Sequence, residues 1–394
     1  MTSKIPPLFK HQAEFLKKNP AMGILAWEAG IGKTRASIEW LTNNKAKNPL
    51  IICTKAIKTK WKEDLIKWGY TGNYVLLTKE EFKKNPKHEN IDRLIVDEAH
   101  NFSSPLFVAK LRSQLSTDLY KFIQANPNIP RLLLTANPVR SSPSNLHTML
   151  VFAGVGIEWP KWQKAFFHLV RRPYLPRPAW EPKIGWQKRM IPIIDKYCHV
   201  SLMSDSFDVP VQEHTYIDIK LTKRTRDDIK ELGKEEWEPM KLWCGEHRLE
   251  NGEEKLKWIK NFSKGRKKMV IICKYTDQIK AYAKALGKDR ETFVLSGQVK
   301  DQGAVIKSAQ ESPECFIIVQ AQVSAGYDLD QFSTMIFASP GWSWVDYSQA
   351  KGRINRAHNL HRNEYYHLIA GPKDKAIIDS LEDKKDFDVS QIKK

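Results

Sequence analysis

At 394 residues the chain exceeds what one hydrophobic core ordinarily fills, a limit near ~250 residues, and is long enough for two. Hydrophobic residues at 41% and aromatics at 10% exclude wholesale disorder, and no stretch approaches the ~20 apolar residues of a membrane span. The 64 Lys and Arg against 45 Asp and Glu leave a formal net charge of +19, which favours a polyanionic partner, although a general compositional bias would produce the same surplus.

The N-terminus, MTSKIPPLFKHQ, lacks the apolar core of a secretory signal. The five cysteines are scattered without a C-x-x-C pair, which argues against zinc and against a disulfide scaffold. A reduced, cytoplasmic protein is expected, with no membrane association.

In chain order, the first 150 or so residues alternate short apolar runs with helical patterns. Strands are predicted at Met22–Ala26, Pro49–Cys53, Tyr74–Leu77, Leu94–Val96 and Arg131–Thr135, and helices at Arg35–Asn43, Lys58–Trp68 and Phe107–Ala125. Continuous apolar strands separated by helices imply a parallel sheet covered on both faces, hence an α/β fold. This first domain is expected over 1–153. A Pro-, Trp- and Lys/Arg-rich stretch without clear period follows, read as a connecting segment over 154–215. From 216 to 394 the text turns helical (Lys223–Lys230, Glu235–His247, Glu253–Phe262) and then enters a second α/β series. Its strands are predicted at Met269–Cys273, Thr292–Leu295, Phe316–Val319, Thr334–Ala338 and Tyr365–Ile369, with a closing helix at Ala376–Leu381.

The sharpest local signal is ILAWEAGIGKT, Ile24 to Thr34. An apolar strand runs into a Gly-containing turn and then a helix, which is the context a phosphate-binding loop needs. Gly30 and Gly32 let backbone N–H groups crowd round phosphate oxygens, Lys33 supplies a point charge, and the Thr34 hydroxyl ligates Mg²⁺. Arg35, opening the helix, joins the candidate nucleotide contacts. Trp27 stands where the strict G-x-x-x-x-G-K-[ST] pattern has its first Gly.

Asp97-Glu98-Ala99-His100 lies 64 residues beyond Lys33, at the end of the apolar run LIV. Acids at the C-terminal end of a buried parallel strand face the crevice where open α/β sheets bind ligands. Asp97 is placed to hold Mg²⁺ through water, and Glu98 to take the proton of an attacking water. A solvated helix N-cap is the bland alternative. Thr135, ending LLLT, reads as a nucleotide sensor or as a plain turn residue.

Near the C-terminus, Gln349 to Arg356 (QAKGRINR) puts Arg353 and Arg356 three apart, on one helical face. Guanidinium groups there can stabilise charge developing on a γ-phosphate, with Gln349 beside them; a basic surface helix reads equally well from this stretch alone. Gly326 and Asp328, after a strand in SAGYDL, could link the two sites and join the candidate nucleotide contacts. Lys55, Lys58 and Lys60, following a strand, and Arg171 and Arg172 are candidate phosphate contacts. The tryptophans among the cations of 154–210 suit base stacking, or else simple packing onto the domains.

Taken together, LFKHQ, ILAWEAGIGKT, IICTKAIKTKWKEDLIKW, DEAH, LLLTANP, VSAGYDL and QAKGRINR run in the order that resembles the Swi/Snf-related branch of superfamily two helicases. That resemblance implies two tandem RecA-like lobes with an ATP cleft between them, Mg²⁺ as cofactor, and translocation on duplex or branched DNA by a monomer. It puts Gln12 on the adenine base and makes an acidic residue the family's usual occupant at Trp27. The chain departs from the pattern at Ala136-Asn137, where Gly-Thr is usual, and after Arg356, where Ala-His-Asn replaces Ile-Gly-Gln. Large chromatin-type insertions are missing, and a compact, Lys-rich motor of this kind resembles those of bacteriophage genomes. The rival expectations are a DEAH-type RNA helicase and a catalytically idle DNA-binding module.

Overall fold

The computed structural model describes residues 5–108, 110–139, 142–171, 178–205, 207, 211–236, 238–323, 327–355 and 362–383. The chain divides into two compact units, one through Phe207 and one after it.

The first unit is built on six parallel strands: β1 (Met22–Trp27), β2 (Leu50–Cys53), β3 (Val75–Thr78), β4 (Leu94–Val96), β5 (Arg131–Thr135) and, after a separate two-stranded ribbon of β6 (Phe167–Val170) and β7 (Ala179–Pro182), β8 (Cys198–Ser201). Their order across the sheet is β3-β2-β4-β5-β1-β8, all parallel. The runs LIIC, LIV and RLLLT are buried along their whole length, as strands covered on both faces must be. The second unit repeats the plan with β9 (Gln212–Asp218), β10 (Lys268–Cys273), β11 (Thr292–Leu295), β12 (Cys315–Gln320), β13 (Thr334–Phe337) and β14 (Asn363–Ile369). Here the order is β11-β12-β10-β13-β14-β9, again parallel throughout. Strand alternation splits the core in two: Val270 and Ile272 pack into one cluster, while Met269, Ile271 and Cys273 pack into another on the opposite face.

Two expectations change. The helix expected from Phe107 begins only at Gln114, because the Ser113 hydroxyl accepts the Ser116 N–H and caps it there; Phe107 and Leu111 stay exposed outside it. The segment read as a connection over 154–215 belongs to the units themselves. Trp162 and Phe166 on the helix Trp159–Phe166, and Trp186, Met190 and Ile194 on the helix Trp186–Tyr197, enter the first core. β8 completes the first sheet against β1, and β9 is an edge strand of the second. The i, i+4, i+8 stripe of the second of these helices was masked by Pro192 and by the surrounding prolines.

A fully buried ion pair lies just beyond the C-terminal ends of β13 and β14 in the second unit. Lys255, on the helix Glu253–Phe262, donates to Asp374 Oδ2 at 2.7 Å, Asn251 Oδ1 at 2.7 Å and Ala338 O at 2.6 Å. His247 Nε2 lies 3.0 Å from the other Asp374 oxygen, and the Glu250 carboxylate accepts the N–H groups of Lys373 and Asp374. Every partner of these charges is supplied, the condition under which buried charge is tolerable.

Candidate nucleotide-binding and catalytic site

β4, β5 and β1 are consecutive neighbours in the first sheet, so the segments leaving their C-terminal ends lie side by side. The segment after β1 carries Gly30 at φ 86° and Gly32 at φ 85°, left-handed conformations that a side chain resists. A Cβ on Gly32 would sit 2.4 Å from Gln12 Nε2, so the loop also needs glycine for close approach. Gly32 caps the helix Lys33–Asn43 without any side-chain hydrogen bond, which leaves the first-turn N–H groups to an anion. Thr34 is half-buried in that turn. Lys33 Nζ folds back onto the loop, donating to Trp27 O at 2.9 Å and Glu28 O at 3.1 Å.

The loop is braced from behind by the helix Lys10–Lys18. Gln12 is wholly buried; its amide donates to Gly32 O at 3.1 Å and its carbonyl accepts the Phe9 N–H at 3.0 Å. His11 Nε2 donates to Ile31 O at 2.8 Å. Trp27, the departure from the strict loop pattern, is a core residue whose indole donates to His199 Nδ1 on β8 at 2.8 Å. Glu28 accepts the Met203 N–H at 2.8 Å. Arg35, expected among the nucleotide contacts, is turned to another task. Its guanidinium donates to Pro7 O at 3.0 Å and to Pro6 O and lies 4.4 Å over the Trp68 ring, fastening the N-terminal segment.

Beyond β4, Asp97 is 6% exposed and accepts hydrogen bonds from Trp61 Nε1 at 2.8 Å and from the Glu98 N–H at 2.9 Å. Burial and the adjacent Glu98 carboxylate push its pKa above the usual carboxylate range, against the Trp61 hydrogen bond and the charge of Lys33. A carboxylate held in that condition is poised to accept a cation. Glu98 adopts φ 48°, a strained backbone for a residue with a side chain, which turns the pair out of the strand end. Glu98 Oε2 is buried, 3.4 Å from His100 Nδ1, and makes no hydrogen bond. His100 Nδ1 also lies 3.3 Å from Thr135 Oγ1, which accepts the Asn137 N–H at 3.0 Å. The ends of β4 and β5 are thereby joined, and the Asn137 side-chain nitrogen is buried without a partner.

The donor set fits a magnesium nucleotide: a point charge in Lys33, uncapped helix amides, the Thr34 hydroxyl, and a buried carboxylate whose pKa is raised. In the sequence Trp61 stands only within IICTKAIKTKWKEDLIKW and His100 only as the last residue of DEAH, without an assigned contact, and His199 and Met203 are not singled out at all. Their partners lie 35 to 175 residues away, and no local pattern announces them.

In the second unit, Gln349 and Arg353 lie on the helix Trp344–Ile354, both buried. Arg353 donates to Tyr327 O at 2.9 Å and packs 5.5 Å over the Tyr327 ring, so its guanidinium braces the segment after β12 within its own unit. Asp328 is half-buried, with its carbonyl accepting the Gln310 amide at 2.9 Å. Arg356, Gly326 and Arg172 lie outside the described residues. Of the candidate track contacts, Lys55, Lys60 and Arg171 are exposed, while Lys58 is held by Glu81 at 2.6 Å. No described helix is long and apolar enough to cross a membrane.

Residues 254–358 match the helicase conserved C-terminal domain family. No curated protein sequence matches the chain. Among solved structures, Saccharomyces cerevisiae Dbp5 bound to RNA and ADP BeF3 is similar over 98% of this chain and 94% of that one, at 11% identity and a TM-score of 0.60. The Sulfolobus solfataricus SWI2/SNF2 ATPase core in complex with dsDNA covers 97% and 92% at 17% identity, with a TM-score of 0.44. The fold is therefore the expected one, two tandem RecA-like α/β units, each a parallel sheet covered by helices.

Proposed function

We propose that this chain, which carries a helicase conserved C-terminal domain on tandem RecA-like units, is an ATP-driven superfamily two motor that translocates on or remodels duplex or branched DNA. The observation that carries the ATPase reading is the Asp97–Glu98 pair at the strand end, Asp97 buried with its pKa raised and Glu98 Oε2 buried without a hydrogen bond. The preference for DNA rests on the order of the sequence motifs, and the net charge of +19 supports a nucleic-acid track.

In this reading the loop amides after Gly30 and Gly32 cradle the phosphates, and Lys33 leaves the Trp27 and Glu28 carbonyls to hold them. Thr34 and, through water, Asp97 hold Mg²⁺, which when bound neutralises phosphate charge. Glu98 takes the proton of the attacking water at its free Oε2. Gln12 positions the loop through Gly32 O, and an adenine contact would require it to leave that bond or the Phe9 N–H. On the sequence motifs, Arg353 and Arg356, with Gln349, are assigned to the charge that develops on the γ-phosphate, and Lys55, Lys60 and Arg171 to the phosphates of the track.

ATP turnover measured with duplex DNA, single-stranded DNA and RNA at fixed salt tests this. Duplex DNA is expected to stimulate, and Lys33→Ala to abolish, hydrolysis. Dbp5 was solved with RNA, so RNA is the arm against which DNA is set. Stimulation by RNA alone overturns the DNA assignment; wild type and Lys33→Ala turning over equally overturns the motor.

A further inference from the structure

The four tryptophans of the cation-rich stretch part company in the structure. Trp162 and Trp186 are buried at 3% and 8%, and Trp159 is half-buried, 5.1 Å from His147 and 6.2 Å from Phe107. Trp180 is 50% exposed. It lies on β7 directly opposite Leu169 on β6, itself 55% exposed, so an aromatic and an aliphatic side chain share one open face of the ribbon.

A two-stranded ribbon is marginal in water unless something holds its base. Here the base is held firmly. The helix Trp159–Phe166 runs straight into β6, Phe167 is buried 5.9 Å from Trp159, and the Lys183 N–H donates to Phe166 O at 2.9 Å. Leu169 and Trp180 on the ribbon, and Ile184 at 96% just beyond β7, stay exposed among the described residues. The surroundings identify the occupant by charge. Residues 158–189 hold eight Lys and Arg against two Glu, and Lys164, Arg171, Lys188 and Arg189 are exposed. A protein or lipid partner that needed apolar contact would want a broader greasy patch than these three side chains. A rigid, exposed indole inside a field of cations suits an unpaired base whose phosphates the cations neutralise.

We propose that the β6–β7 ribbon is a stacking site for the unpaired bases of a nucleic-acid strand, with Trp180 as the platform. This deepens the nucleic-acid reading above and rests on it: the motor engages single-stranded segments at ends or junctions as well as a duplex backbone. A blunt duplex keeps its bases stacked on each other and offers Trp180 none.

The test is equilibrium binding of the full chain, without ATP and at fixed salt, to single-stranded DNA, single-stranded RNA and a blunt DNA duplex. Trp180→Ala is expected to weaken single-strand binding roughly tenfold, about 1.4 kcal/mol, in at least one of the two sugars. Its duplex affinity should stay within about twofold, since phosphate contacts supply that binding. Trp180→Phe, which keeps a π face, should restore single-strand affinity. Unchanged single-strand binding in Trp180→Ala, or an equal loss on the blunt duplex, overturns the ribbon while leaving the motor reading intact. A wild type that binds none of the three ligands overturns both.

Discussion

At the scale of single residues, the site depends on groups held in conditions they would not choose in water. Glu98 illustrates this: its backbone is left-handed, its Oε2 is buried, and no hydrogen bond compensates that oxygen. Strain of this kind persists where the surroundings over-determine it, and it aims the carboxylate where a water could be activated. Glu98→Gln keeps the size and the backbone but cannot take a proton. Nucleotide affinity is therefore expected to stay within severalfold of wild type, while turnover falls by about 10² or more, the usual worth of a general base. Binding of a fluorescent ATP analogue and steady-state phosphate release measure the two separately. Turnover at the wild-type rate would remove Glu98 from the proton-transfer role.

At the scale of elements, caps and ties decide what the local pattern leaves open. Glu254, in the first turn of the helix Glu253–Phe262, accepts hydrogen bonds from Thr225 Oγ1 at 2.6 Å, Thr222 Oγ1 at 2.8 Å and the Thr222 N–H at 3.0 Å, joining that helix to the start of Lys223–Glu235. Burial alone would raise its pKa, but these hydrogen bonds outweigh burial and hold it at about 2, below the ordinary 4.5. A depressed native pKa means the unfolded chain binds the proton first, so this stabilisation is complete above pH ~4.5 and is lost as pH falls toward ~2. Across that window the urea midpoint of wild type is expected to drop more steeply than that of Glu254→Gln, and parallel curves would exclude the cap as a source of acid sensitivity. Sequence legibility divides along the same line. Buried parallel strands such as LIV and RLLLT announce themselves, because both faces demand apolar residues. The loop glycines and DEAH carry their chemistry in adjacent positions. β8, with the text CHVS, carries no such signal: it is half-buried, and its place is fixed by pairing with β1 some 170 residues earlier. Arg35 looked like a phosphate contact because it follows Gly-Lys-Thr, yet its direction was set by Pro6, Pro7 and Trp68, which no spacing rule connects to it.

At the scale of the whole molecule, charge is the property that no single contact explains. A net charge of +19, most of it carried by residues 1–207, predicts nucleic-acid binding that weakens steeply with salt, since every phosphate neutralised releases counterions. The slope of log affinity against log salt counts those contacts, at about 0.9 per phosphate on duplex DNA, so removing one true contact flattens it by about one. The lysines after β2 offer a graded test. Lys55 is exposed, whereas Lys58 already faces Glu81 at 2.6 Å and must give up that pair before it can meet a phosphate. Lys55→Ala is therefore expected to lower duplex affinity and flatten the slope by about one, and Lys58→Ala to flatten it by less. Anisotropy titrations across a salt series measure both. If Lys55→Ala keeps the wild-type slope, the turn after β2 is not part of the track, and the charge that grips the phosphates lies elsewhere on the two units.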